Sequence, residues 1–397
     1  MAEKSSWSEL PFDLQEEFYR LSETTAGDLA KHIALVENEI SNYWPQVEFA
    51  VKPLANAKMN DLTITAVDGS RSPEPTRRLG ADFAVYSAGL LKLKGKSVTG
   101  SRFRVGKVDS VGPQTTDLSD LLSAKSLQAE REAAVAALRD SDLVLLDGSF
   151  YAFARDVMNV LRGNPRATQR LGRWSEAISG ALRSTDDLLS SGKCIGVVKR
   201  SRTRAISGWL SMKNESTIFP GLIDKHIMNR KLPEMSLFDY EILLSGESIL
   251  AYSVLAYNLA STRETGPGKE AFARAKELTA RRFLKAFEEP FGSRVDPSRL
   301  RRVQARLFGD APPCELEIPT SVPPELVESL LTTENFSEAT GLPYAIDMID
   351  EHVGIPRAFT RDFVYEVEAR VASLTPSTLA GVRGFFSGLN PQKEGIE

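Results

Sequence analysis

Apolar residues between positions 7 and 40 recur every three to four places, with Leu10, Leu14, Phe18 and Leu21 on one stripe. That period predicts an amphipathic helix, the core of an N-terminal helical arm over 1–55. From Leu62 the period drops to two. "LTITAVDGS" is short, alternating and β-branched, which predicts a strand carrying Asp68 at its end. "RRLGADFAVYSAGLLKLKGK" continues in strand-like runs, and Gly80, Gly89 and Gly95 fall where hairpin bends are expected. "SLQAEREAAVAALR", 126–139, has the propensity and pattern of a helix. "LVLLDGSF", 143–150, is apolar without alternation up to Asp147, as a strand covered on both faces would be.

Helices are expected over 151–162 and 166–191, and "KCIGVVKRS" reads as another buried strand, ending on Lys199 and Arg200. "ESILAYSVLAYNLA" suits strand or helix equally. "KEAFARAKELTARRFLKAFEE" is an amphipathic helix and "CELEIP" a short strand. "PPELVESLLTT" and "LPYAIDMIDEHVG" are helices with proline near their starts. The pattern gives an α/β chain with a mixed sheet flanked by helices. The arm over 1–55 leads into one domain over 56–388 with helical insertions, and 389–397 form a flexible polar tail.

The 397 residues are 42% hydrophobic and 26% charged, enough for a substantial core. A net charge of −4 gives no overall attraction for nucleic acid, so any such contact must come from local basic patches. Cys194 and Cys314 stand far apart in no metal or redox spacing, which fits a reducing cytoplasm. No apolar run is long enough to span a membrane, and "MAEKSSWSEL" lacks the apolar segment of a signal peptide. The expectation is a soluble cytoplasmic protein.

The candidate chemistry lies in a doubled motif. Asp68 and Asp147 each close an apolar strand and each precede Gly-Ser. One such aspartate is usually a turn-former or helix cap. Two, at strand ends where α/β folds place ligands, point to a shared carboxylate site for a hard cation such as Mg²⁺ or Mn²⁺. Lys199, at another strand end, is placed to balance phosphate charge; otherwise it is a lysine keeping its ammonium in water. A haloacid-dehalogenase-type phosphatase is disfavoured, because Ala66 and Leu145 stand where its first aspartate belongs. No phosphate-binding loop of P-loop type occurs, and His32, His226 and His352 are too scattered for a zinc hydrolase.

Taken in order, "AVDGS", "LLDGSF", "GVVKRS", "LIDKHIMNRKL" and "GLPYAIDMIDEHVGI" resemble the NurA nuclease family over roughly residues 62–356. The resemblance implies an RNase H-like fold and a Mn²⁺- or Mg²⁺-dependent deoxyribonuclease. It implies 5′ to 3′ degradation and cutting of single strands in DNA end resection and repair. It also implies a homodimer that works with a HerA-type hexameric ATPase translocase. Carried over, Asp68 and Asp147 become metal ligands and Lys199 the active-site lysine. A glutamate on the helix before the second motif is a further ligand; Glu130 is preferred to Glu132 for its spacing from Asp147. Many members read Gly-Tyr-Pro, then a metal-binding histidine seven residues after the proline. Here Leu342 stands for the tyrosine and Asp350 for the histidine. Asp347 could share the face of Asp350, while His352 lies roughly 200° away around a helix. Tyr344 is a possible stand-in for the tyrosine.

Three basic runs could meet phosphates: "RATQRLGR" (166–173), "KRSRTR" (199–204) and "RRVQAR" (301–306). Lys199, Arg200, Arg202 and Arg204 are favoured, since their run leaves the strand that carries Lys199. Trp209 and Phe219 are candidates for stacking on unpaired bases. Against the metal-dependent nuclease stands a second reading, a catalytically inactive RNase H-like scaffold that binds DNA or a translocase.

Overall fold

Leu143, Val144, Leu145 and Leu146 are all fully buried, although a strand covered on one face would hide only every second side chain. The reason is visible in the computed structural model, which describes residues 11–54, 62–111, 118–152, 167–261, 268–280 and 296–388. Leu143 and Leu145 pack with Ile346 and Ile349 of the helix Tyr344–Val353. Val144 and Leu146 pack on the opposite face with Ala134 and Ala137 of the helix Leu118–Ala137 and with Leu188 and Leu189 of the helix Ala167–Ser190. Both faces of the central sheet are therefore closed by helices.

Among the described residues ten strands form that sheet. In chain order they are β1 (Val51–Pro53), β2 (Thr63–Arg71), β3 (Thr76–Arg77), β4 (Ala81–Lys94), β5 (Ser97–Val111), β6 (Leu143–Asp147), β7 (Cys194–Val198), β8 (Ser236–Asp239), β9 (Leu300–Arg306) and β10 (Cys314–Pro319). The spatial order is β1-β8-β9-β10-β7-β6-β2-β4, and both β3 and β5 pair with β4. β2, β6 and β7 are parallel neighbours, while the other pairings are antiparallel. The three strands expected to end on Asp68, Asp147 and Lys199 therefore lie side by side and point the same way.

The expected helical arm is Phe12–Tyr43, of which only Ile40 is buried. Its C-terminal end packs through Ile40 against Phe219 and Met228, and Glu37 pairs with Arg230 at 2.7 Å. The chain joins the sheet at β1, before residue 55. The ambiguous segment near 250 is a helix, Ile249–Ala260, capped by Ser248, whose side chain accepts the Ala251 N–H. Gly80 and Gly95 lie at the turns into and out of β4, but Gly89 sits within β4, in register between Asp68 and Phe103, and forms no bend. Most of the helix expected over 151–162, the end of the one expected over 269–289, and the tail after 388 lie outside the described residues. Among the described residues no helix is long and apolar enough to cross a membrane. Cys194 and Cys314 are buried and free.

The helices Ala205–Lys213 and Ile249–Ala260 pack in contact, and Gly208 makes the approach possible. A Cβ there would fall 2.0 Å from the Tyr252 carbonyl oxygen, an impossible contact. Gly208→Ala is therefore expected to push the two helices apart and destabilise the chain by about 1–3 kcal/mol. An unchanged urea midpoint would contradict that packing.

Candidate metal centre

Register brings the expected residues together. Val67 of β2 pairs with Leu146 of β6, so the next residues, Asp68 and Asp147, leave adjacent strand ends side by side. Asp147 in turn pairs with Val197 of β7. Lys199, two residues further on, reaches back with its Nζ 2.7 Å from Asp147 Oδ2. The helix Tyr344–Val353 lies across β2, β4 and β6. Its C-terminal end is tied down twice: Ser87 Oγ donates to the Val353 carbonyl at 2.8 Å, and the Ile355 N–H donates to Ser70 Oγ at 3.2 Å. That anchoring sets Asp350 over the strand ends, with Oδ2 2.9 Å from Lys199 Nζ. Asp68, Asp147 and Asp350 each offer an oxygen, and these oxygens all lie within 4.8 Å of one another.

Glu130 enters from the opposite face, on the helix Leu118–Ala137. It fits because residue 69 is glycine. A Cβ at Gly69 would stand 2.9 Å from Glu130 Oε2 and 3.2 Å from its Cβ. The Gly69 N–H donates to Asp68 Oδ1 at 2.7 Å. Glu132 is exposed on another face of the helix and accepts from Gln128 at 2.8 Å.

The electrostatics follow from crowding acids together away from water. Burial first, then the charges of Asp147 and Glu130, push Asp68 up to about 8. Burial raises Glu130 to about 7, opposed by Arg131 and reinforced by Asp147. Burial also raises Asp147, although Lys199 pulls it back. For Lys199 burial works against the charge, yet the bonds to Asp147 and Asp350 hold its pKa above the ordinary lysine value. Three carboxylates thus gather beside one lysine, with Glu130 close to Asp68 but 3.9 Å from Arg131. A donor set made only of carboxylate oxygens this close together suits a hard divalent cation, whose charge would relieve the repulsion.

His352 is not in this cluster. Its ring is exposed, donates from Nδ1 to the Met348 carbonyl at 2.7 Å, and lies parallel to Phe103 with centroids 6.4 Å apart. Asp347 accepts from Thr340 instead. Tyr344 stands six residues before Asp350, about 9 Å along the helix axis, under Lys96 at the tip of the β4–β5 hairpin. It is no substitute for a tyrosine beside the carboxylates.

The basic runs divide. In "KRSRTR" the backbone alternates: Ser201 and Thr203 are buried, Arg200 and Arg202 are exposed, and Arg204 is half-buried. In "RRVQAR" the expectation of phosphate contact fails for two of its arginines. Arg302 pairs with Glu315 and Glu317, and Arg306 donates to the Asn229 and Leu232 carbonyls at 2.9 and 3.0 Å. Both face protein, because the run is β9 rather than a solvated segment. The run 166–173 opens the helix Ala167–Ser190, but Arg166 and its neighbours' side chains lie outside the described residues. Phe219 is buried against Tyr43, with ring centroids 5.9 Å apart, and Lys213 covers the Trp209 ring at 4.6 Å, so neither is a free stacking face.

Arg131, Glu315 and Glu317 were not singled out from the sequence. The signal was there in "CELEIP", which alternates acids with apolar residues in a strand whose every position is buried.

Residues 62–355 match the NurA domain family. No curated protein sequence matches the chain. Among solved structures, one of NurA aligns at a TM-score of 0.52 and 13% identity, covering 91% of this chain and all of that one. NurA with manganese aligns at 0.49 and 12% identity, covering 88% of this chain and 98% of that one. The NurA nuclease from Sulfolobus solfataricus aligns at 0.48 and 12%, covering 88% and 97%.

The raised acids predict an inverted pH dependence of stability. Asp68 has an ordinary value of 3.8 and a folded value of about 8, so between those limits the folded chain holds a proton that the unfolded chain has lost. Stability of the metal-free protein must then fall as pH rises through that window. Thermal melts in EDTA from about pH 5 to about pH 8.5 should show a declining Tm, and Asp68→Asn should flatten the decline and raise the Tm at the alkaline end. A wild-type Tm that climbs across this range would show that the acids are not held as described.

Proposed function

The chain belongs to the NurA nuclease family, and on that premise we propose that it is a Mn²⁺- or Mg²⁺-dependent deoxyribonuclease. The carrying observation is the meeting of Asp68, Asp147 and Asp350, from three separate segments, within 4.8 Å and beside Lys199. Asp68, Asp147 and Asp350 would hold the cation, with Glu130 as a further carboxylate at its side. Bound there, the ion supplies charge stabilisation at the phosphoryl oxygens and makes water a better nucleophile.

The chain's own residues do the rest. Asp68 must give up its proton before a cation can bind, so metal affinity rises with pH. Lys199 Nζ is shared between Asp147 and Asp350. Placed there, it would donate to a non-bridging phosphate oxygen and offset the charge that develops on the phosphoryl group. Arg200 and Arg202, pointing outward from the same loop, hold the backbone of the bound strand, and Arg204 follows them. Hydrolysis in the 5′ to 3′ direction, cutting of single strands, a place in DNA end resection and repair, and work beside a HerA-type translocase belong to the same proposal.

A homodimer belongs to it as well. Leu14, Leu21, Leu29 and Ile33 of the arm are each about half exposed, along one side of a helix whose C-terminal end packs on the body. A second copy covering that stripe is the simplest occupant, and the double change of Leu14 and Leu21 to Glu should halve the mass seen in sedimentation. A dimer that survives it is joined elsewhere.

Linear labelled DNA should be degraded with Mn²⁺ and spared with EDTA. Asp68→Asn and Asp147→Asn should each abolish cleavage without unfolding the chain. Lys199→Ala should lower kcat more than it raises KM, while Arg202→Ala should weaken binding and flatten its salt dependence. Asp350→Ala should weaken Mn²⁺ uptake in calorimetry, and His352→Ala should leave it unchanged. Intact DNA binding with no cleavage in Mn²⁺ would leave the inactive scaffold as the reading.

A further inference from the structure

Glu315 and Glu317 on β10 are both completely buried. Buried carboxylates persist only where charge and hydrogen bonds answer them. Arg302 answers both. It is the register partner of Glu317 across β9 and β10, pairs with Glu317 through Nη2, and sets Nη1 3.3 Å from Glu315 Oε1. Gln304 of β9 also donates to Glu315 Oε2 at 3.4 Å, and the remaining acceptor capacity reaches two loops. Glu315 accepts from Thr203 Oγ1 at 3.3 Å, in the segment that follows Lys199. Glu317 accepts from Ser149 Oγ at 2.7 Å and from the Phe150 N–H at 2.8 Å, in the turn that follows Asp147.

That second loop needs holding. Gly148 has φ of 118°, which favours glycine, and donates its N–H to the Val197 carbonyl at 2.8 Å, so β7 holds the start of the turn but not the two residues that follow. The turn is gripped instead from both sides. Glu317 takes the Ser149 hydroxyl and the Phe150 amide, and Arg131 Nη2 donates to the Ser149 carbonyl at 3.0 Å. Arg131 is the neighbour of Glu130, so the helix carrying one carboxylate also grips the turn behind another.

We infer that Glu317, backed by Arg302, is a positioning residue for Asp147: it acts through Ser149 and Phe150 and touches neither cation nor DNA. This rests on the metal-centre reading above. The Arg302–Glu315 branch ties the Lys199 loop to the same partly buried arginine, so one side chain sets the relative placement of Asp147 and Lys199.

A merely structural role would lower stability and leave the metal site of the folded protein unchanged; a positioning role would not. Glu317→Gln and Ser149→Ala of the full chain are titrated with Mn²⁺ alone by calorimetry, beside wild type, and are melted in parallel. Glu317→Gln is expected to weaken Mn²⁺ binding about tenfold, the order seen when groups that orient metal ligands are lost. Ser149→Ala, which removes one of the two hydrogen bonds, is expected to weaken it by a smaller factor with no loss of Tm. KM for single-stranded DNA should not move, and kcat should fall most at limiting Mn²⁺. If Glu317→Gln does not fold, Ser149→Ala decides. Wild-type Mn²⁺ affinity in the folded variants overturns the positioning role alone, whereas a wild-type chain that takes up no Mn²⁺ overturns the metal-centre reading and this inference with it.

Discussion

Like charges resist being gathered, and the architecture depends on gathering them. Asp68, Asp147 and Asp350 bring oxygens within 4.8 Å, in surroundings dry enough to lift Asp68 to about 8. Nothing local in the chain would hold them so. The constraint comes from three parallel strands, β7, β6 and β2, in adjacent positions with their C-terminal ends aligned. Neighbouring strands lie about 5 Å apart, so side chains on adjacent rungs meet whether or not their charges favour it. Leu143, Val144, Leu145 and Leu146, buried on both faces, supply the packing that offsets this repulsion.

The doubled Asp-Gly-Ser is one spelling for two physical tasks. In the first copy glycine makes room: a side chain at 69 would collide with Glu130. In the second it bends: Gly148 adopts a positive φ and has open space around it. The serines differ too. Ser70 accepts the Ile355 amide and so holds the end of the helix that carries Asp350. Ser149 donates to Glu317 and is itself what is held. Only the aspartates do the same thing in both copies.

What the sequence made legible follows from how local each signal is. Strands ending on Asp68, Asp147 and Lys199 could be read because a period of two, or an unbroken apolar run, is a property of a few consecutive residues. The choice of Glu130 over Glu132 could be posed from spacing but needed the phase of the helix against β2 to be seen. "RRVQAR" was misread because an arginine that neutralises a buried acid and an arginine that meets phosphate look alike in one dimension. The acids that claim Arg302 lie on another strand, at positions 315 and 317. Gly89 was misjudged for a related reason. Its lack of a side chain serves the close approach of Phe103, whose ring would lie 2.6 Å from an added Cβ, not a turn in its own strand.

Asp350 shows how one position sets the charge of such a cluster. Its side chain is 59% exposed, so water screens its charge far better than it screens Asp68 or Asp147. A carboxylate there adds a negative charge where that charge costs least, on a helix anchored to the sheet by Ser70 and Ser87. A neutral imidazole at the same point would leave the cluster with one charge fewer. With aspartate, the acids outnumber Lys199 more heavily, and the metal-free site is correspondingly less stable. The same imbalance deepens the well for a divalent cation. His352, left outside, has Nδ1 on the Met348 carbonyl and its ring beside Phe103. The side chains that meet at this point offer only carboxylate oxygens, a donor set that suits Mg²⁺ and Mn²⁺ better than softer ions.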